Sequence, residues 1–263
     1  MSFSLKNHIA LITGASSGIG EQTAYRFAEA GARLILTGRN SDRLQAVARK
    51  SLEKGAPDVL PLILDVSDRK AVADRLGTLP DNWKAVDILV NNAGVALGKD
   101  PVYRYDADEI ERMVDTNIKG LLYVTLAILP GMVERNRGHV VNMGSTAGHD
   151  VYPGGSIYNA TKFAVNALNQ GMKMDLTGTA IRVSSIDPGM VNTHFSTTRF
   201  RGDKKKADDV YADMTPLVAE DIADAILWVV TRPSHVNINQ IIMMPTDQSS
   251  NSLVSRGGKR LFS

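Results

Sequence analysis

The chain contains no cysteine. That excludes disulfide staples, thiolate nucleophiles and cysteine metal sites, and it suits a reducing compartment. Neither sign of charge dominates: 30 lysines and arginines stand against 28 aspartates and glutamates, a formal net charge of +2. No global basic field therefore argues for a nucleic-acid partner. No run approaches the roughly 18 unbroken apolar residues of a membrane span, so no membrane partner is expected. Met1 to Asn7 carry no apolar leader core, and the closing Arg-Leu-Phe-Ser is no recognised address. The expectation is a cytoplasmic protein. The five histidines (8, 139, 149, 194 and 235) share no ligand spacing, so no metal site is expected either.

What is present is enough for one α/β domain: 263 residues, 43% of them hydrophobic. Strand-like apolar runs fall at 9–13, 33–36, 59–64, 87–90, 139–143, 182–186 and 240–243. They are mostly continuous rather than alternating, as parallel strands covered on both faces should be. Helical patterns fall between them, at 18–30, 41–53, 67–78, 107–135, 156–177 and 219–231. This alternation predicts right-handed βαβ units and a doubly wound parallel sheet of about seven strands in a single domain, 1–245. Ligands of such sheets bind beyond the carboxyl ends of the strands. Two stretches break the rhythm. Residues 190–214 hold the basic run Arg199-Phe-Arg-Gly-Asp-Lys-Lys-Lys206 and read as a substrate lid, with the lysines on a solvated face. Residues 246–263, rich in serine, glycine and basic residues, have the composition of a partly unstructured tail.

The segments that follow the strands carry the chemistry. After the first comes Thr13-Gly-Ala-Ser-Ser-Gly-Ile-Gly20, opening a helix. Gly14, Gly18 and Gly20 allow a tight turn, and with Ser16, Ser17 and Ile19 they present backbone N–H groups to a pyrophosphate, as in Rossmann-type folds. The second strand ends Leu36-Thr-Gly-Arg-Asn40, where an acid would bind the ribose of NAD. Arg39 and Asn40 stand there instead, and a guanidinium suits the 2′-phosphate of NADP. Asp65-Val66 follows the third strand, with Asp65 placed to accept from an adenine amino group. Asn92, Ala93 and Gly94 follow the fourth, small enough for a flat ring to lie against the backbone. Asn117 falls within the apolar stripe of the 107–135 helix, and a buried amide needs a partner there. Ser145 ends the fifth strand. Tyr158 and Lys162, at i and i+4, share the face of the next helix, where an ammonium would favour a phenolate.

Together Thr13–Gly20, Asn91–Gly94, Asn117, Ser145, Tyr158, Lys162 and Pro188-Gly189 resemble the short-chain dehydrogenase/reductase family, in matching order across nearly the whole chain. The resemblance implies hydride transfer between a nicotinamide and an alcohol or carbonyl, on a sheet of order 3-2-1-4-5-6-7. It implies a catalytic tetrad. Tyr158 moves the proton, Ser145 orients the substrate oxygen, and Lys162 lowers the phenol pKa and holds the nicotinamide ribose. Asn117 keeps a water in a proton relay. It also implies that Pro188, Gly189, Val191 and Thr193 surround the nicotinamide amide, and that tetramers are built on the fourth and fifth helices.

A narrower likeness joins Asp87–Gly98, Leu129–Asn136, Gly144–Gly148, Arg199–Asp203 and His235–Asn239 to the NADP-dependent 3-hydroxy acid dehydrogenases. It implies small substrates such as serine, allo-threonine or 3-hydroxypropionate. His149-Asp-Val-Tyr152 departs from that pattern, which leaves pocket size open. The acid group of such a substrate needs a cationic partner, and Arg199 and Arg201 in the lid, flanking Phe200, are the candidates alongside Ser145. Two other functions are weighed against this one. A reductase of bulkier ketones, aldehydes or 3-oxoacyl thioesters could use the lid lysines for docking. A silent NADP sensor would lack the tyrosine or lysine, and both are present.

Overall fold

The computed structural model describes residues 3–258. Its first half alternates strictly: β1 (Ile9–Ile12), α1 (Gly18–Glu29), β2 (Arg33–Gly38), α2 (Ser41–Glu53), β3 (Val59–Ile63), α3 (Arg69–Gly77) and β4 (Ile88–Asn91). There follow α4 (Ala107–Val114), a π-helical turn (Asp115–Gly120), α5 (Leu121–Glu134), β5 (Gly138–Met143), α6 (Ser156–Asp175) and β6 (Ile181–Pro188). An insertion comes next: β7 (Val191–Asn192), α7 (His194–Arg199), α8 (Lys204–Asp209) and β8 (Leu217–Val218). The chain then returns through α9 (Ala219–Val230) to β9 (Gln240–Met243).

Seven strands form one parallel sheet in the order β3-β2-β1-β4-β5-β6-β9. This is the expected order, because β7 and β8 pair only with each other in a two-stranded ribbon. β1 and β4 are buried along their whole length, as their apolar sequences require, with Asn91 at the end of β4 hydrogen-bonded to Thr125 and Asn142. Leu34, Leu36, Phe27, Ile222 and Ile226 fill the layer under α1, α2 and α9. Leu11, Leu89, Val140, Val124 and Val165 fill the opposite layer under α5 and α6.

The helix expected over 107–135 is interrupted. Its π turn contains Asn117, whose side chain is pulled onto the loop after β4; such turns commonly mark functional positions. By length and composition, Ala107–Glu134 could cross a membrane, at a mean hydropathy of 1.3. In the fold, Val124, Ile128 and Met132 pack on the sheet, while Leu126 and Val133 lie exposed on the outer face.

The tail differs from its composition. Residues 246–258 fold back, with a bridge between Gln248 and Val254 and a 2.7 Å hydrogen bond from Ser255 N to Asp247 O. Polar side chains there find fixed partners on the loops after β5 and β6, which composition alone does not reveal. The rest of the expected tail, 259–263, lies outside the described residues.

Two of the three glycines after β1 are required by conformation, Gly14 at φ +64° and Gly18 at φ +58°. Gly20 is required by space. A Cβ there would lie 2.5 Å from both Asn92 Nδ2 and Gly14 O. Gly20→Ala should therefore destabilise the fold by about 1–3 kcal/mol, read as a lower urea midpoint with an unchanged slope.

Candidate active site

The carboxyl ends of β1 to β6 open into one cleft, at the place where the strand order reverses between β1 and β4. Its floor is locked by Thr13, whose hydroxyl accepts from Asn92 N at 3.0 Å and Ala93 N at 2.9 Å. Asn92 Nδ2 donates back to Thr13 O at 2.8 Å and to Gly14 O at 3.2 Å.

At one end, Gly14, Ser16, Ser17, Gly18 and Ile19 line the cleft. Ser17 stands before α1 in extended conformation and makes no side-chain cap. The first N–H groups of the helix thus keep their donors for an anion. Gly20 does not line the cleft; it faces Asn92 and Gly14, and its role is packing. Arg39 lies on the rim, 3.7 Å from Asp65. A Cβ at neighbouring Gly38 would come 3.1 Å from Ser16 Oγ, so the glycine leaves room for that hydroxyl next to the guanidinium. Asn40 spends its Oδ1 on Arg43 N at 2.9 Å, which caps α2, and it does not line the cleft. Asp65, Val66, Asn92, Ala93 and Gly94 all line the middle of the cleft. Burial pushes the Asp65 carboxyl up, but hydrogen bonds from Ser67 N and Oγ, with Arg39 and Arg112 nearby, hold it below its ordinary range. A free-helix-end cradle, a basic rim and a flat floor together fit a phosphorylated dinucleotide.

At the other end stand Ser145, Tyr158 and Lys162. Ser145 Oγ accepts from Ala147 N at 3.1 Å, lies 3.4 Å from Pro188 O, and hydrogen-bonds with Tyr158. Tyr158 is buried, and burial pushes its phenol well above the ordinary range; Tyr152 adds to this, while the Ser145 hydrogen bond and Arg199 oppose it. Lys162 Nζ is 5.8 Å from the Tyr158 ring centre and donates to Met143 O at 2.7 Å. The guanidinium carbon of Arg199 lies 5.7 Å from the same ring centre, and its charge opposes the effect of burial. Burial also pulls Lys162 down to about 8, with Asp187 resisting.

Asn117 is buried behind the cleft, not in it. Its Oδ1 accepts from Val95 N at 2.8 Å, and its Nδ2 donates to Val95 O at 2.8 Å and to Thr161 Oγ1 at 3.0 Å. With every side-chain group committed, the amide positions Val95 and the Tyr158 helix; the expected water-holding role cannot fall to this side chain.

Pro188, Gly189, Val191 and Thr193 line this same end, joined by Phe195, Arg199, Phe200 and Tyr211 of the insertion, the segment expected to be a lid. Tyr211 ties the lid down through its hydroxyl, 2.7 Å from Val191 O and 2.6 Å from Ser196 Oγ. The two lid arginines part company. Arg199 faces the cleft, held by Gly98 O at 3.2 Å and Tyr152 Oη at 2.8 Å. Arg201 forms a double ion pair with Glu109, with Asp100 at 3.5 Å, and does not reach the cleft. Its expected substrate role is corrected: a guanidinium spent on two carboxylates is not available to a third.

Tyr152 lines the cleft, as its place after Ser145 suggested, and Lys99, Gln248 and Asn251 line it unforeseen. Asn251 accepts from Thr146 Oγ1 at 2.6 Å, and Gln248 Oε1 accepts from Met190 N at 2.8 Å. No local pattern marks such tail residues. Asp187 was also missed, although a carboxylate in a central strand, next to the Pro188-Gly189 turn, is a readable signal.

The state of Lys162 has a measurable consequence. Between about 8 and the ordinary lysine value of 10.5 the unfolded chain binds a proton that the folded chain does not. Stability linked to this residue therefore rises with pH across that window. Relative to Lys162→Met, the parent should gain on the order of 2 kcal/mol between about pH 7 and about pH 9.5 in urea titrations.

A family profile described as short chain dehydrogenase matches residues 8–204. The NADP-dependent 3-hydroxy acid dehydrogenase YdfG of Salmonella typhi is 50% identical over 92% of this chain and 96% of its own. Sulfoacetaldehyde reductase 2 of Chromohalobacter salexigens is 45% identical over 92% of this chain and 95% of its own. Among solved structures, the closed form of serine dehydrogenase complexed with NADP+ superposes with a TM-score of 0.89 at 46% identity, covering 93% of this chain and 98% of that one. Profile, relatives and site geometry agree: the chain belongs to the short-chain dehydrogenase/reductase family.

Proposed function

We propose that this enzyme transfers hydride between NADP(H) and a small 3-hydroxy acid, of the serine, allo-threonine or 3-hydroxypropionate kind, or the matching carbonyl. The observation that carries the substrate class is the placement of Arg199. It is the lid cation that faces the cleft, over the rings of Tyr152 and Tyr158 at 5.3 and 5.7 Å. A substrate hydroxyl at Tyr158 would put a carboxylate two carbons away within reach of that guanidinium. Relatives named as NADP-dependent 3-hydroxy acid dehydrogenases and a serine dehydrogenase bound to NADP+ support the same reading.

When bound, the nicotinamide accepts the hydride from the alcohol carbon or returns it to the carbonyl. The chain's own residues do the rest. Tyr158 Oη, as phenolate, takes the hydroxyl proton. Because burial opposes that charge, cations must supply the compensation, and Arg199 on one side and Lys162 on the other are placed to do so. Ser145 Oγ orients the substrate oxygen and stabilises charge on it. Lys162 Nζ, turning from Met143 O, would hold the ribose. The lid aromatics Phe195 and Phe200 keep water from the acid group's ion pair.

The bulkier-substrate alternative finds less support. Tyr152, Phe195 and Arg199 crowd over Tyr158, and Lys204, Lys205 and Lys206 are exposed on α8, away from the cleft lining. We also propose a cytoplasmic homotetramer. Exposed Leu126 and Val133 on α5, with Phe163 and Met174 on α6, give it an apolar face to bury.

Two experiments test these assignments. With NADP+ as oxidant, Arg199→Ala should raise the Michaelis constant for 3-hydroxypropionate at least tenfold while changing that for a neutral alcohol little; equal changes would place the acid group elsewhere. Arg39→Asp should weaken NADP binding by about ten- to a hundredfold, one charge-assisted contact, with NAD binding held or improved. An unchanged ratio of the two affinities would remove Arg39 from the 2′-phosphate.

A further inference from the structure

One buried charge has no part in the chemistry above. Asp187 lies on β6 with 1% exposure, and four side chains or backbone positions converge on it. His149 Nε2 is 2.5 Å from its Oδ2, and Gln240 Nε2 donates to the same oxygen at 2.5 Å. Ser185 Oγ donates to Oδ1. A Cβ at Gly144 would collide with that Oδ1, so this glycine leaves the room that the carboxylate fills. Gly144 stands between Met143, whose carbonyl receives Lys162 Nζ, and Ser145. The carboxylate thus backs the backbone segment whose front anchors the lysine and whose end presents the serine.

The surroundings of both charges are few. Asp187 meets Ser185 from its own strand, Gln240 from β9 and His149 from the loop after β5, with Asn166 of α6 behind His149 at 3.4 Å. Lys162 meets Tyr158 from its own helix and Met143 from β5, and Asp187 is the ionisable group that favours its charged form. Two opposite charges buried on either side of one backbone segment stabilise each other more than exposed charges would. His149, at 26% side-chain exposure, connects the pair to solvent.

We propose that Asp187 is a positioning residue for the reaction, the counter-charge that keeps Lys162 an ammonium, and that His149 moderates it from the solvent side. This rests on reading the cleft as the NADP(H) site. His149 Nε2, as a donor to Oδ2, draws on part of the Asp187 charge and weakens its hold on Lys162; removing the imidazole leaves the carboxylate to act on the lysine undiminished.

The test is the dissociation constant for NADPH, followed by fluorescence across pH, beside the pH profile of kcat/KM. In the parent, affinity should fall as pH rises through about 8, where Lys162 loses its proton. In Asp187→Asn that limb should move down by about one pH unit, roughly fivefold weaker binding near pH 8. Asp187→Glu should restore it at least in part. In His149→Ala the limb should move up. A purely structural role would weaken binding equally at every pH and leave the limb in place. That result in Asp187→Asn, or no alkaline limb in the parent, would overturn the proposal. If Asp187→Asn does not fold, the sign of the His149→Ala shift decides: upward supports the proposal, unmoved or downward overturns it. A parent that binds no NADPH at any pH would instead overturn the reading of the cleft.

Discussion

The clamp between Thr13 and Asn92 is the interaction on which the rest of the site is built. β1 and β4 are sequence-distant strands that lie side by side where the sheet reverses its order. Loops leaving that point diverge to opposite faces, and without a tie they would be free to splay. The Thr13 hydroxyl takes two backbone N–H groups from the second loop, and the Asn92 amide returns two bonds to the first. One loop shapes the pyrophosphate cradle and the other the floor of the cleft, so their mutual fixing sets the distance between the two halves of the dinucleotide. Gly20 belongs to this clamp, since a side chain there would displace the Asn92 amide.

From that tie outward, each layer trades burial for function. Asn117 spends its whole hydrogen-bonding capacity on Val95 and Thr161, and so joins the floor to the helix bearing Tyr158 and Lys162. The cost is a π turn where a regular helix would otherwise run. Tyr158 and Lys162 are both buried and both pushed towards their neutral forms. A site in this condition is short of compensating charge. Arg199 supplies some from the lid and Asp187 some from the sheet, each acting on a different member of the pair.

Most of the fold was legible because its signals are local. Unbroken apolar runs such as 9–12 and 88–90 read as central parallel strands, and the glycine cluster after the first of them reads as a tight turn. Ser145, Tyr158 and Lys162 were found because spacing and resemblance converge on them. What escaped depends on contacts between distant segments. Nothing near Asn40 says that its side chain caps a helix. Nothing near Arg201 says that Glu109, ninety-odd residues away, claims its guanidinium. The sign of the Tyr158 shift was also out of reach, since it depends on burial from several elements at once and on the turn of Lys162 towards Met143.

The folding-back of residues 246–258 bears on how the protein comes to be active. Gln248 reaches the loop after β6 through Met190 N, and Asn251 reaches the loop after β5 through Thr146 and Asp150. Those loops carry Ser145 and Gly189, yet their restraints are synthesised after them. On the ribosome the sheet from β1 to β6 can assemble while these residues are still in the exit tunnel. A nascent chain at that stage would have its nucleotide cradle but a loose reaction centre. Full competence therefore arrives only after residues 246–258 have emerged and folded back.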